Sequence, residues 1–458
     1  MTRNPAASRT TVHRFSEKLA LTIGLCLVVA PPVPAQSAKP KAAATKPGAK
    51  GPNLAEEEAK RGDWSRWRGP YGDGVSAETG LLTEWPTEGP PLVWTAKGLG
   101  DGFASVSVAD GKIFTLGQKN GRGMIHCLSL ADGKPVWSSP LGGGEPNCTP
   151  TVDGDRVYAL SRDGVLGCFQ VSDGKEVWTR DYGKDFGAPG VPTWGYSESP
   201  LIDGEHLLCT PGGDKALIAC LNKLTGETIW TTQWDPSVAR KGHNGAGYSS
   251  IVISNAGGVK QYVTLVGKGV VSVDAANGKL LWGYNEVANG TACIPTPIVA
   301  GDYVFCSSGY GDGGTALLKI NKVGKGLEPK EMYFLPANKT QNHHGGMIRL
   351  GRNVYMGHGH NNGFPLSLDM ETGKDNWRPG RGPGKESAAI AYADGHLYFR
   401  YQDGTMALIE ANPKDYKLKS SFKLASVKRE SWPHPVIAGG KLYVRDQDVL
   451  LCYDVKKK

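Results

Sequence analysis

The sequence predicts an all-β protein, an eight-bladed β-propeller built of four-stranded antiparallel blades. Three observations lead there. A unit carrying two Gly turns and one outer aromatic recurs eight times from residue 91 onward, at the spacing of about 40–50 residues that propeller blades use. No long apolar stripe of helical period competes with it. The last unit also stops after three strands, at Leu450–Val455, while a matching fourth strand, Pro91–Lys97, lies upstream of the first unit. A chain that lends its first strand to its last blade closes a ring and leaves no open sheet edge to recruit other chains.

The chain has 458 residues, and its start is not expected to belong to the ring. Residues 1–35 read as an export signal. Arg3, Arg9, Arg14 and Lys18 precede a short apolar run, Leu19 to Ala30, bounded by Pro31 and Pro32. That run is too short to span a membrane, and Val33-Pro34-Ala35 offers small residues for cleavage after Ala35. The mature chain is therefore expected outside the cytoplasm, periplasmic or extracellular, without a transmembrane helix. Residues 36–62 are rich in Ala, Lys and Pro and cannot bury enough apolar surface to order themselves. Residues 63–90 are expected to cap or brace the ring, with Trp64, Trp67 and Trp85 against its side; residues 91–458 form the ring.

Within each unit the first turn carries Gly, as in Asp110-Gly111, Asp203-Gly204 and Asp394-Gly395, because two-residue hairpins need positive φ. The second turn is followed by a tryptophan: Trp137, Trp178, Trp230, Trp282 and Trp377, with Trp94 supplying the eighth blade. Phe334 and Phe422 take that place in blades five and seven. Each aromatic is expected to dock one blade onto the next. Inner strands begin near Ser105, Thr149, Ser199, Ser250, Thr296, Gly346, Ala389 and Pro435.

Eight cysteines follow the signal, and in an exported protein they invite a disulfide reading. The repeat argues for free, buried thiols instead. Cys127, Cys168, Cys220 and Cys452 share one third-strand position, filled by Ser272 and Ser367 in other units; Cys209 and Cys306 share a second-strand position. Equivalent positions in neighbouring blades lie too far apart to bridge. Cys148 and Cys293 have no repeat assignment, and their pairing stays open. The formal charge of +8 is concentrated upstream, +3 in residues 1–35 and +3 in 36–62, leaving +2 for the rest. A nearly neutral ring gives no electrostatic case for nucleic-acid binding.

Loops that enter the inner strands, and loops that join second to third strands, share one face of a propeller. Six of the nine histidines after the signal fall on them: His243, His343, His344, His358, His360 and His434. The same loops carry Trp194, Tyr196, Glu198, Asn244, Tyr248, Tyr310, Asp312, Asn342, Glu386, Glu430 and Trp432. Imidazoles beside carboxylates can bind a divalent metal, with His343, His344, His358 and His360 as the candidate set, or grip a polar ligand. Neighbouring aromatics suit a planar ligand or a sugar ring. Gly309–Gly314 and Gly121-Arg122-Gly123 lack the following helix that a phosphate loop needs.

The run Ser272-Val273-Asp274-Ala275-Ala276-Asn277-Gly278-Lys279-Leu280-Leu281-Trp282 resembles the repeat of the pyrroloquinoline quinone (PQQ)-like propeller superfamily, and the likeness covers residues 91–458. The opening Trp64-Ser65-Arg66-Trp67-Arg68-Gly69-Pro70 is similar to a subgroup of exported bacterial members. Two branches imply different functions. Quinoprotein alcohol or sugar dehydrogenases hold PQQ and Ca²⁺ at the mouth of the ring; BamB-like scaffolds serve outer-membrane protein assembly. The chain lacks the adjacent Cys-Cys pair of many such dehydrogenases and the lipid-attachment cysteine of a BamB lipoprotein. The reading is a monomeric, exported binding module that presents its His- and aromatic-rich face to a protein, a cell-envelope glycan or a small ligand. A PQQ-dependent oxidoreductase and an assembly scaffold are the alternatives.

Overall fold

The computed structural model describes residues 64–234, 239–425 and 427–458; the expected signal and linker lie outside them. The chain forms eight separate four-stranded antiparallel sheets. Blade one, for example, runs through Ser107–Ala109, Lys112–Lys119, Arg122–Ser129 and Pro135–Gly143. Blade eight has three of its own strands, Val436–Ala438, Lys441–Asp446 and Val449–Asp454. Its fourth is the first strand of the chain, Leu92–Ala96, which pairs antiparallel with Val449–Asp454 and sets Trp94 opposite Cys452. The ring closes as the repeat predicts.

Turn chemistry places the strands. Asp110 and Gly111 both sit at positive φ, 49° and 72°, as do Asp394 and Gly395, the conformation of a primed two-residue hairpin turn. The second turn does more. A Cβ on Gly174 would lie 2.4 Å from Trp137 of the preceding blade; one on Gly226 would lie 2.7 Å from Trp178, and one on Gly278 2.2 Å from Trp230. Each indole thus lies flat on the next blade's bare glycine. The indole N–H groups of Trp137, Trp178 and Trp377 complete the joint by donating to the carbonyls of Val171, Lys223 and Asn412.

Two blades lack the docking tryptophan. In blade five the strand register puts Tyr333 opposite Leu317 just before a bulge. Tyr333 meets Gly373 of blade six and donates its hydroxyl to the Met370 carbonyl at 2.6 Å. Tyr333, not Phe334, is the docking residue; Phe334 packs over Gly314 of its own blade. The bulge shifts side chains by one residue, which the Trp spacing alone does not reveal. In blade seven the equivalent position is Ser420. Its hydroxyl accepts the Trp85 backbone N–H, and the Trp85 ring packs on Tyr398 and Phe422. Phe422 still docks blade seven onto blade eight, since a Cβ on Gly89 would lie 2.5 Å from its ring and the ring packs on Tyr453; Trp85 of the N-terminal segment adds an indole to this joint.

That segment follows a path the sequence did not suggest. Residues 78–90 do run along blades seven and eight: Glu78 accepts from Gly439 and Gly440, and Leu82 N–H donates to Val455. Residues 64–76 instead cross the axial channel. Carbonyls of Trp64 and Ser65 accept from Val108 and Val152 on the inner strands of blades one and two. Gly74 and Ser76 exchange hydrogen bonds with Tyr392 of blade seven. Trp67 therefore reaches the axial cavity, while Trp64 and Trp85 share one buried cluster with residues of blades seven, eight and one.

All eight described cysteines are buried free thiols, Cys148 and Cys293 included. No helix among the described residues is long and apolar enough to cross a membrane.

Candidate functional site

Just before each inner strand, blades one to five carry a hydroxyl: Ser105, Thr149, Ser199, Ser250 and Thr296. Each of the last four accepts the backbone N–H of its counterpart in the preceding blade, at 2.9–3.2 Å. These bonds lock five blades around the axis. In blades six, seven and eight the same position holds Gly346, Ala389 and His434, so the hydroxyl belt is broken on one side.

Two residues upstream of each belt position the backbone faces the axis again, as the period of an extended chain requires. Phe103, Asn147, Ser197, Tyr248, Ile294, His344 and Trp432 occupy seven of these eight places and line one cavity of about 480 Å³; Ser387, in blade seven, is not among the lining residues. Trp67 and Arg68 of the N-terminal segment also line it. They close the channel beneath it, so the cavity has a floor. Its volume lies in the range of small-ligand sites.

The structure sorts the candidate residues. Trp194, His343, His344, His360, Glu386, Glu430, Trp432 and His434 all line the cavity. Glu198 does not: it is buried in blade three, accepting from the Tyr182 hydroxyl at 2.8 Å and the Thr210 N–H at 2.5 Å. Burial pushes its carboxyl up to about 7. Asn342 braces the backbone, donating to the carbonyls of Gly346 and Gly357. His358 turns away to Arg378 and Gln341. His243 and Asn244 bond to each other and are not among the lining residues. Trp67, Arg68, Phe103, Asn147 and Gln402 were not foreseen. The two-residue offset from the belt would have found Phe103 and Asn147.

His343, His344 and His434 are held neutral near pH 7. Burial lowers His343 to about 3, with His360 adding to the shift; burial also lowers His434 to about 3, with Arg68 adding. His344 is held well below its ordinary value for the same first reason. A directional chain runs through His343. The Ser387 hydroxyl donates to Asn361 at 2.9 Å, so His343 Nδ1 donates to Ser387 Oγ at 2.6 Å. His343 Nε2 then accepts from the Tyr310 hydroxyl at 2.9 Å. Tyr310 thereby keeps its lone pairs for another donor. Both ring nitrogens of His344 are buried without a hydrogen-bond partner among the described residues, a cost of about 1–3 kcal/mol each unless something fills the cavity.

Aromatic faces surround these groups. Trp432 stacks on Phe103 at 4.1 Å and 18°, and its indole N–H is fixed by Gln402. Trp194, 37 % exposed, stands at the rim near Tyr248 and Tyr310. Arg68, Tyr310, His360 and Glu386 all have positive φ, and all four line the cavity. Such backbone costs of order 1–3 kcal/mol each and tends to collect at functional sites.

PQQ, the cofactor implied by the quinoprotein likeness, is a planar tricarboxylate that those enzymes hold with Ca²⁺. The charged groups here are one arginine and two carboxylates, Glu386 and Glu430. Among the described residues no three His, Cys, Asp or Glu side chains are grouped as metal ligands, His343, His344, His358 and His360 included. This donor set does not fit a tricarboxylate–calcium pair, and no redox step is assigned to it.

Known proteins place the fold. BamB from Moraxella catarrhalis superposes with TM-score 0.56 at 13% identity, covering 80% of this chain and 98% of its own. Quinohemoprotein alcohol dehydrogenase from Comamonas testosteroni gives 0.59 at 14%, covering 88% and 82%. The computationally designed protein Ika8 gives 0.55 at 11%, covering 79% and 99%. No curated protein matches in sequence. A family model described as outer membrane protein assembly factor BamB matches residues 86–187 and 121–379. Together these spans cover more than half of the sequence, and the chain belongs to that family of PQQ-like β-propellers.

Proposed function

We propose that this chain is an exported binding protein whose axial cavity takes one sugar-sized, hydroxyl-rich ring, either free or as the end of an envelope glycan. One observation carries the reading. The N-terminal segment floors the channel, and the resulting cavity combines aromatic faces with neutral imidazoles that lack partners. Sugar C–H faces pack on Trp and Tyr, while hydroxyl groups need donors and acceptors close together.

Binding needs no bond chemistry. Tyr310, oriented by His343, accepts from a ligand hydroxyl. His344 has one donor and one acceptor nitrogen to offer. Glu386 and Glu430 at the mouth accept from further hydroxyls, and Trp432 and Trp194 supply the faces. Export rests on the signal-like residues 1–35 and on the likeness to BamB, an outer-membrane assembly factor.

Titration of the full chain with a set of mono- and disaccharides, followed by tryptophan fluorescence and calorimetry, tests the reading. Saturable binding that His344→Ala weakens at least tenfold supports it. The absence of saturable binding to any member, in a folded protein, sinks it.

A further inference from the structure

The floor of the cavity holds a buried cation of unusual standing. Among the described residues three arginines are buried. Arg400 is paired with Asp446 at 2.9 Å, both side chains having no exposure. Arg445 is surrounded by Asp448, Asp101 and Asp446. Arg68, 3 % exposed, donates to two neutral carbonyls, those of Asp73 and Met347. The Asp73 carboxylate supports its charge through space. Its Nε is buried with no hydrogen-bond partner among the described residues. Of the three, Arg68 has the least compensation, and it is the one that lines the cavity.

The bare glycine at Gly346 makes room for this guanidinium. It sits where the hydroxyl belt is broken, next to Gly346 and His434. A Cβ on Gly346 would fall 2.7 Å from Arg68 Nη1 and 2.9 Å from the His434 ring. Gly346 has φ 74°, and neither a serine nor a threonine would fit the belt position here. A buried cation without a bonded carboxylate is costly, and an anion brought to it gains a strong, charge-assisted contact. Glu386 and Glu430 lie at the mouth, so a second negative charge placed there would be repelled.

Resting on the reading of a sugar-sized ring, we infer that the ligand carries a single carboxylate, as uronic acids do, and that Arg68 receives it on the cavity floor. The N-terminal segment is then part of the binding site as well as its floor. Recognition of the acid group distinguishes this ligand from neutral sugars of the same size.

Three probes, glucuronate, glucose and benzoate, are titrated into the full chain and into Arg68→Met, with tryptophan fluorescence as readout and a thermal melt to verify folding. Glucuronate should bind at least tenfold more tightly than glucose, and Arg68→Met should abolish that preference while leaving weak glucose binding. Equal affinity for glucuronate and glucose overturns the carboxylate assignment and leaves the sugar reading standing. Binding of benzoate and glucuronate without glucose supports the anion site and overturns the sugar reading. Failure of all three to bind overturns both. A preference that survives in folded Arg68→Met also overturns the assignment. Should that variant not fold, Arg68→Lys keeps the charge but loses the planar fork; undiminished glucuronate affinity in folded Arg68→Lys overturns it too.

Discussion

The outer joints and the axial belt of this propeller obey the same repeat and break it differently. At the outer joints the pattern of indole on bare glycine is defended. Where blade five loses its Trp, Tyr333 takes over the contact and even the carbonyl bond. Where blade seven loses it, Trp85 is brought in from outside the repeat. At the axis the belt of five hydroxyls simply stops, and Gly346, Ala389 and His434 leave a gap that Arg68 enters. A departure that is compensated marks structure. One that admits a buried cation beside a cavity, with strained residues around it, marks a site.

The comparison can be broken most severely at the shared segment. Deleting residues 64–97 removes the fourth strand of blade eight, the indoles of Trp85 and Trp94, and the channel floor. The expected outcome is loss of any cooperative thermal transition. A normal melt would show that closure and floor are dispensable.

Single residues separate the two zones next. Trp377→Ala empties a docking joint and frees the Asn412 carbonyl, which should cost about 3–5 kcal/mol in denaturant unfolding. Trp432→Ala, at the half-exposed cavity wall, should cost about 1–2 kcal/mol yet lose at least tenfold in ligand affinity. Equal stability losses would erase the distinction.

Glu198 gives a pH-dependent test from the structural side. Its carboxyl is raised to about 7 from an ordinary 4.5, by burial first. The folded state therefore holds a proton that the unfolded state releases between those values. This stabilisation is complete below about pH 4.5 and lost as pH rises to about 7, amounting to roughly 3 kcal/mol. Glu198→Gln should remove that slope and stabilise the protein at pH 8. His343, His344 and His434 run the other way, since their lowered values cost stability as pH falls below about 6.5. A slope unchanged in Glu198→Gln would place the titrating group elsewhere.

Much of this was legible in the residues, for definite physical reasons. The repeat showed the blade count, the donated strand and the fate of six of the eight cysteines, because hairpin turns, docking indoles and recurring core positions leave fixed local signatures. Ten cavity residues were found among the loop candidates because function on a propeller concentrates where loops enter the inner strands. Glu198 and His358 lay on the same loops but turned inward to Tyr182 and Arg378. Sequence places a residue on a loop without giving its rotation. Trp67 and Arg68 were missed as site residues because nothing in their spacing says that the chain passes through the ring before joining it.

The smallest expected effect tests the register argument most directly. Tyr333→Phe keeps the ring on Gly373 and removes only the 2.6 Å bond to the Met370 carbonyl, so it should cost about 1 kcal/mol. Phe334→Leu, one residue on, leaves that joint untouched and should cost no more than about 1.5 kcal/mol as a near-conservative apolar exchange. The second comparison is Tyr333→Ala against Phe334→Ala. If Tyr333 is the docking aromatic, Tyr333→Ala loosens the junction between blades five and six, and amides of Asp369–Thr372 exchange faster. Phe334→Ala should leave those amides protected and act within blade five. The reverse pattern would mean that the bulge in blade five does not re-aim the strand as its pairing indicates, and that the repeat's spacing was the better guide.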